Sequence, residues 1–65
     1  MRVVVNQVEH EVPSESMISD VLSLIDAQPP YAVAVNMNFV PKLDHDKHLL
    51  YENDEIEIIT PVTGG

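Results

Sequence analysis

No turn within this 65-residue chain is made with glycine, because its two glycines, Gly64 and Gly65, are its last residues. The breaks in its hydrophobic pattern fall instead at Asn6-Gln7, Pro13-Ser14-Glu15-Ser16, Pro29-Pro30, Asn36-Met37-Asn38 and Glu52-Asn53-Asp54. All are rich in residues that favour turns. The segments between these breaks are short, and each carries a readable period.

Arg2 to Asn6 reads as a strand with Val3 and Val5 on one face. Gln7 to Val12 alternates so that Val8, His10 and Val12 oppose Gln7, Glu9 and Glu11, which completes a hairpin turning near Asn6-Gln7. A helix is expected over about 17–27, with Ser16 as its N-cap and Asp20 near enough to its N-terminus to favour the dipole. Ile18, Val21, Leu22 and Ile25 then form one apolar stripe, opposed by Ser19, Ser23 and Asp26. Pro29-Pro30 is expected to end this helix, since neither residue can donate a further helical hydrogen bond.

Tyr31 to Val35 is expected as a strand with Val33 and Val35 inward and Ala32 and Ala34 outward. A tight turn leads to a short strand around Phe39-Val40, which Pro41 confines to a sheet edge. Lys42 to His48 reads as a polar connection, and Leu49 and Leu50 anchor it to the core. The last strand is expected over 55–60, with Ile56 and Ile58 facing one way, Glu57 and Ile59 the other, and Pro61 closing it. The order of hairpin, helix, strand pair and strand is an α+β plan, one helix laid across a mixed sheet of about four to five strands. Residues 1–65 form one domain in this reading, with 61–65 as a tail.

Such a domain has little stability in reserve, since a chain of this size buries only about 60% of the surface its unfolded form exposes. It contains no cysteine, which excludes disulfides, Cys-ligated zinc and thiolate chemistry and fits a reducing compartment. Three Lys and Arg stand against eleven Asp and Glu, for a net charge of −8. That charge repels phosphate backbones and anionic lipid, so nucleic acid and membranes are not expected partners. A basic protein surface would be steered toward it. No apolar run approaches the length of a membrane span, and the chain is expected to be soluble and cytoplasmic.

The Gly64-Gly65 terminus is the feature with chemical potential. Lacking Cβ atoms, the pair can thread extended into a narrow channel and present the terminal carboxylate there. An adenylating pocket would convert that carboxylate into a reactive mixed anhydride. The competing reading is an inert, frayed end.

The segments Ala34-Val35-Asn36-Met37-Asn38-Phe39-Val40-Pro41-Lys42, Asn53-Asp54-Glu55-Ile56-Glu57-Ile58-Ile59 and Pro61-Val62-Thr63-Gly64-Gly65 resemble the ThiS family, the sulfur carriers of thiamin thiazole synthesis. The resemblance runs the length of the chain and implies a ubiquitin-like β-grasp fold. It departs at Lys42, where the family usually has Arg, and at Asn53, where it usually has Gly. It implies that the Gly65 carboxylate is adenylated by a ubiquitin-activating-type enzyme using ATP and magnesium. The resulting adenylate would become a thiocarboxylate, with sulfur from a donor such as a cysteine desulfurase, and would feed thiazole synthase. Gly64, Thr63 and Val62 are then the tail residues that partners recognise. The chain itself is a carrier and co-substrate with no catalytic residue and no bound cofactor or metal.

Two rivals share parts of this pattern: the sulfur carrier of molybdopterin synthesis, which is usually longer, and a ubiquitin-like modifier joined to lysines. A third is a β-grasp interaction module whose tail is inert. Ile59 and Phe39, both apolar and both outward by alternation, are candidates for partner docking beside the tail. Singly, each is an ordinary exposed apolar side chain. Asp44-His45-Asp46-Lys47-His48 has the composition of a metal site but reads as a solvated connection, and His10 as a histidine half-packed at a sheet edge.

Overall fold

The computed structural model describes residues 1–61. Its elements in chain order are β1 (Arg2–Val5), β2 (Val8–Glu11), α1 (Ile18–Leu24), β3 (Ala32–Val35), β4 (Asn38–Val40), a 3-10 turn at Lys42–Asp44 and β5 (Glu55–Ile59). The strands form one five-stranded sheet in the order β2-β1-β5-β3-β4. β5 runs parallel to β1 and antiparallel to β3, so the last strand lies in the middle of the sheet. This is the ubiquitin-like β-grasp plan, with the helix against one face.

Both hairpins turn on two residues with positive φ: Asn6 (48°) with Gln7 (70°), and Asn36 (50°) with Met37 (70°). Paired positive φ is the signature of the type I′ turn, whose twist matches that of the strands it joins. Asn tolerates this backbone better than most residues, whereas Gln7 and Met37 stand where glycine is usual. Asn53 also has positive φ (68°), which accounts physically for its interchange with glycine.

The core forms where the periods predict. Val3, Val5, Val33, Val35, Ile56 and Ile58 from the sheet meet Ile18, Val21 and Leu22 from the helix, with Val12, Val40 and Leu50 closing the margins. Ile25 completes the stripe as a partly buried side chain.

The helix is shorter than expected at both ends. Met17 is the N-cap, and its N–H donates to the Asp20 carboxylate at 2.7 Å. Ser16 is buried instead, and its hydroxyl donates to the Pro13 carbonyl at 2.6 Å, which closes the preceding turn. Pro29-Pro30 does not end the helix. Asp26 enters left-handed backbone (φ 54°), while its N–H donates to Ser23 and the Ala27 N–H donates to Leu22. Those two bonds make a Schellman motif, which satisfies the last helical carbonyls before the prolines are reached.

The Lys42–His48 connection is likewise more ordered than its polarity suggests. His45 is only 7% exposed and stacks on Tyr31 with ring centroids 6.1 Å apart. Its Nε2–H donates to the Val40 carbonyl at 3.1 Å, and its own carbonyl accepts the Ser19 N–H. The histidine thereby ties the connection to β4 and to the first turn of the helix. Among the described residues no three His, Asp or Glu side chains converge as a metal site would require, and no helix is long and apolar enough to cross a membrane.

Candidate functional site: the outer sheet face and the end of β5

The face of the sheet turned away from the helix follows from the register. Val4 pairs with Glu9 on one side and Glu55 on the other, and Arg2 pairs with Glu11. Ala34 pairs with both Phe39 and Glu57, and Ala32 pairs with Ile59. All of these alternate with core residues and therefore point outward. The face has two halves of different character. Around β1, β2 and the start of β5 it is acidic, carrying Glu9, Glu11 and Glu55. Around β3, β4 and the end of β5 it is apolar, carrying Phe39, Ala32, Ala34 and Ile59, with Glu57 at the boundary.

Phe39 and Ile59 are both well exposed, at 68% and 52%. They are not adjacent. Phe39 lies on the edge strand β4 and Ile59 on the central β5, so β3 stands between them. At ordinary strand spacing they are about 10 Å apart across the sheet, not side by side beside the tail. Half-buried Ala32 and Ala34 occupy the gap. Two large apolar side chains flanking two methyl groups make a shallow saddle, suited to an apolar protein surface.

β5 has hydrogen-bond partners on both sides from its start to Ile58. At its start, the Glu55 N–H donates to the Asn36 side-chain oxygen at 3.0 Å, and the Asn36 Nδ2 donates to Asp54 at 3.0 Å. Asp54 also accepts the Tyr51 N–H at 2.8 Å, which shapes the turn leading into the strand. Arg2 fastens that turn to β1, because its guanidinium reaches the Asn53 side-chain oxygen at 2.7 Å while the Asn53 N–H donates to the Arg2 carbonyl. The same guanidinium lies 3.4 Å from Glu9. Such an exposed pair adds little stability, but it occupies one of the chain's three Lys and Arg residues and leaves the outer face acidic.

At the far end, β1 has already turned away at Asn6, yet Ile58 is not left unpaired. Its N–H donates to the Asn6 side-chain oxygen at 2.8 Å. Ile59, Thr60 and Pro61 follow, all exposed. Val62, Thr63, Gly64 and Gly65, the expected tail and attachment residues, lie outside the described residues.

Asn6, Asn36 and Arg2 were legible in the sequence as turn and strand residues only. The position of an asparagine before Gln7 or Met37 signals a type I′ turn, but no local pattern reveals which strand its side chain will serve.

Comparison with known proteins agrees with this geometry. The model of the ThiS family matches residues 1–65. Among solved structures, the crystal structure of a thiamine biosynthesis protein (ThiS) from Geobacter metallireducens superposes with a TM-score of 0.83. Identity is 19%, and the alignment covers 100% of both chains, a likeness that carries the fold. No curated protein matches the chain.

Proposed function

The chain belongs to the ThiS family, the sulfur carriers of thiamine biosynthesis, and from that premise we propose that its Gly65 carboxylate is the group that carries sulfur. A ubiquitin-activating-type enzyme adenylates that carboxylate with ATP and magnesium, releasing pyrophosphate. A persulfide carried by a donor such as a cysteine desulfurase then attacks the acyl carbon, AMP leaves, and a thiol reductant cleaves the S–S bond of the acyl disulfide, itself ending as a disulfide while the donor's thiol is released. The thiocarboxylate so formed delivers its sulfur to thiazole synthase.

The observation that carries this reading is the match of the whole chain to the family together with a terminal Gly64-Gly65 on a sequence without cysteine. Without a thiol, the chain can hold sulfur covalently and exchangeably on an acyl group, and glycine, which lacks a Cβ, crowds its own carboxylate least. The fold supports the same role, because the last described element before the tail is the central strand, which has hydrogen-bond partners on both sides. Partners dock on the apolar saddle of Phe39, Ala32, Ala34 and Ile59 and take up the tail through Val62, Thr63 and Gly64.

Intact-mass analysis of the protein from cells tests the proposal. One oxygen-to-sulfur exchange located at Gly65 is expected, and it should disappear when Gly65 is deleted while the thermal melt stays unchanged. Full sulfur transfer by the truncated chain would refute it, and adducts on lysines of other proteins would point to a modifier instead.

A further inference from the structure

We infer that Asn6 is a positioning residue for the carrier, setting the exit of β5 at Ile59 to Pro61; the inference deepens the carrier reading and rests on it. The parallel ladder between β1 and β5 proceeds through Val4 N–H to the Asp54 carbonyl and Asn6 N–H to the Ile56 carbonyl. The next bond would join the Ile58 N–H to the main-chain carbonyl of Asn6. That bond is unavailable, because Asn6 is the first residue of the hairpin turn and its φ of 48° carries the backbone away from β5. Its side-chain oxygen takes the vacated place, 2.8 Å from the Ile58 nitrogen.

The substitution matters because of where it falls. On its other flank the end of β5 is held by β3 through the pairs Val33 with Ile58 and Ala32 with Ile59. Without Asn6 the last residues of β5 would form an open edge of the sheet, held through β3 alone. The partly buried Ile58 N–H would also lack its acceptor. With Asn6 in place, the direction in which the chain leaves the sheet at Thr60 and Pro61 is set from both sides. A carrier whose reactive group lies a few residues beyond a fixed strand end loses less freedom when a partner binds it, so its affinity gains from that preorganisation. Asn36 makes the corresponding contact at the start of the strand, on the opposite flank, and so sets the entry of β5 rather than its exit.

Asn6→Gly and Asn6→Asp separate this role from turn formation. Glycine adopts the required φ freely but has no acceptor, whereas aspartate restores one. In Asn6→Gly the backbone order parameters of Ile59 and Thr60 in the free protein should fall from about 0.85 toward 0.6, while the cooperative thermal melt is retained. In ATP–pyrophosphate exchange by the activating enzyme, the KM for the carrier should rise about two- to tenfold, the scale of one net hydrogen bond, with kcat unchanged. Asn6→Asp should return both readouts toward those of the parent. Unchanged order in Asn6→Gly, or a KM that rises equally in Asn6→Asp, overturns the assignment. A parent protein that supports no exchange would count against the carrier reading, and the order of Ile59 and Thr60 then decides the role of Asn6 by itself.

Discussion

Replacing Met37 by glycine should make this protein more stable, although it removes a whole side chain. Met37 occupies the second central position of the β3–β4 turn with φ 70°, and its side chain is 96% exposed. Left-handed backbone costs a residue with a Cβ about 1–2 kcal/mol, because the Cβ crowds the following carbonyl. Glycine escapes that cost but gives up about 0.5–1 kcal/mol through the greater freedom of its unfolded chain. No burial is lost at so exposed a site, so the net gain is about 0.5–1 kcal/mol. Total stability for a domain of this size is on the order of 3–10 kcal/mol, and the gain corresponds to roughly 2–8 °C in Tm. Urea unfolding followed by far-UV circular dichroism measures it, with Met37→Ala as the control. Alanine retains the Cβ and with it the strain, so its midpoint should match that of the parent. A Met37→Gly protein no more stable than the parent, or an equal gain in Met37→Ala, would refute the reasoning, since the effect would then not arise from backbone strain.

The remaining expectations concern the core and the docking face. Leu22→Ala empties a buried position under the sheet and should cost about 2–5 kcal/mol, enough to leave part of the population unfolded at room temperature; an equilibrium unfolding shift below about 1 kcal/mol, the scale of a surface change, would show that the helix face is misassigned. Ile59→Asp places a charge on the apolar saddle and should weaken binding to the activating enzyme or the synthase mainly through faster dissociation, as surface-binding kinetics would show. Equal affinity for both partners would move the docking face elsewhere. Glu57→Gln, at the boundary of the acidic half, should mainly slow association and reduce its salt dependence; an association rate that stays the same at low salt would sink that role for the charge.

Within this chain, the alternation of Val3 and Val5, of Val33 and Val35 and of Ile56 and Ile58, with the helical spacing of Ile18, Val21 and Leu22, was enough to identify the elements and most of the core. Those patterns are local. A residue's neighbours two or four positions away decide its face, and the cost of burying the wrong face enforces the choice. The inward and outward sets of β3 and β5, and the edge position of β4 imposed by Pro41, were legible for the same reason.

Special backbone conformations and contacts between distant segments were not. The Schellman close at Asp26 pre-empted Pro29-Pro30 because an aspartate adopted left-handed backbone, an outcome that helix periodicity does not encode. His45 became buried because Tyr31, the Val40 carbonyl and the first turn of the helix converge on it, and none of these is near it on one element. Phe39 and Ile59 share a face by local alternation, but their separation across β3 depends on strand order, which only packing decides. The composition of the chain already set its −8 charge and its lack of thiols. The tertiary structure alone decided that two turn asparagines, far apart in the chain, would grip the strand that leads to its end, because an N–H left open by one strand takes whichever acceptor the fold brings within reach.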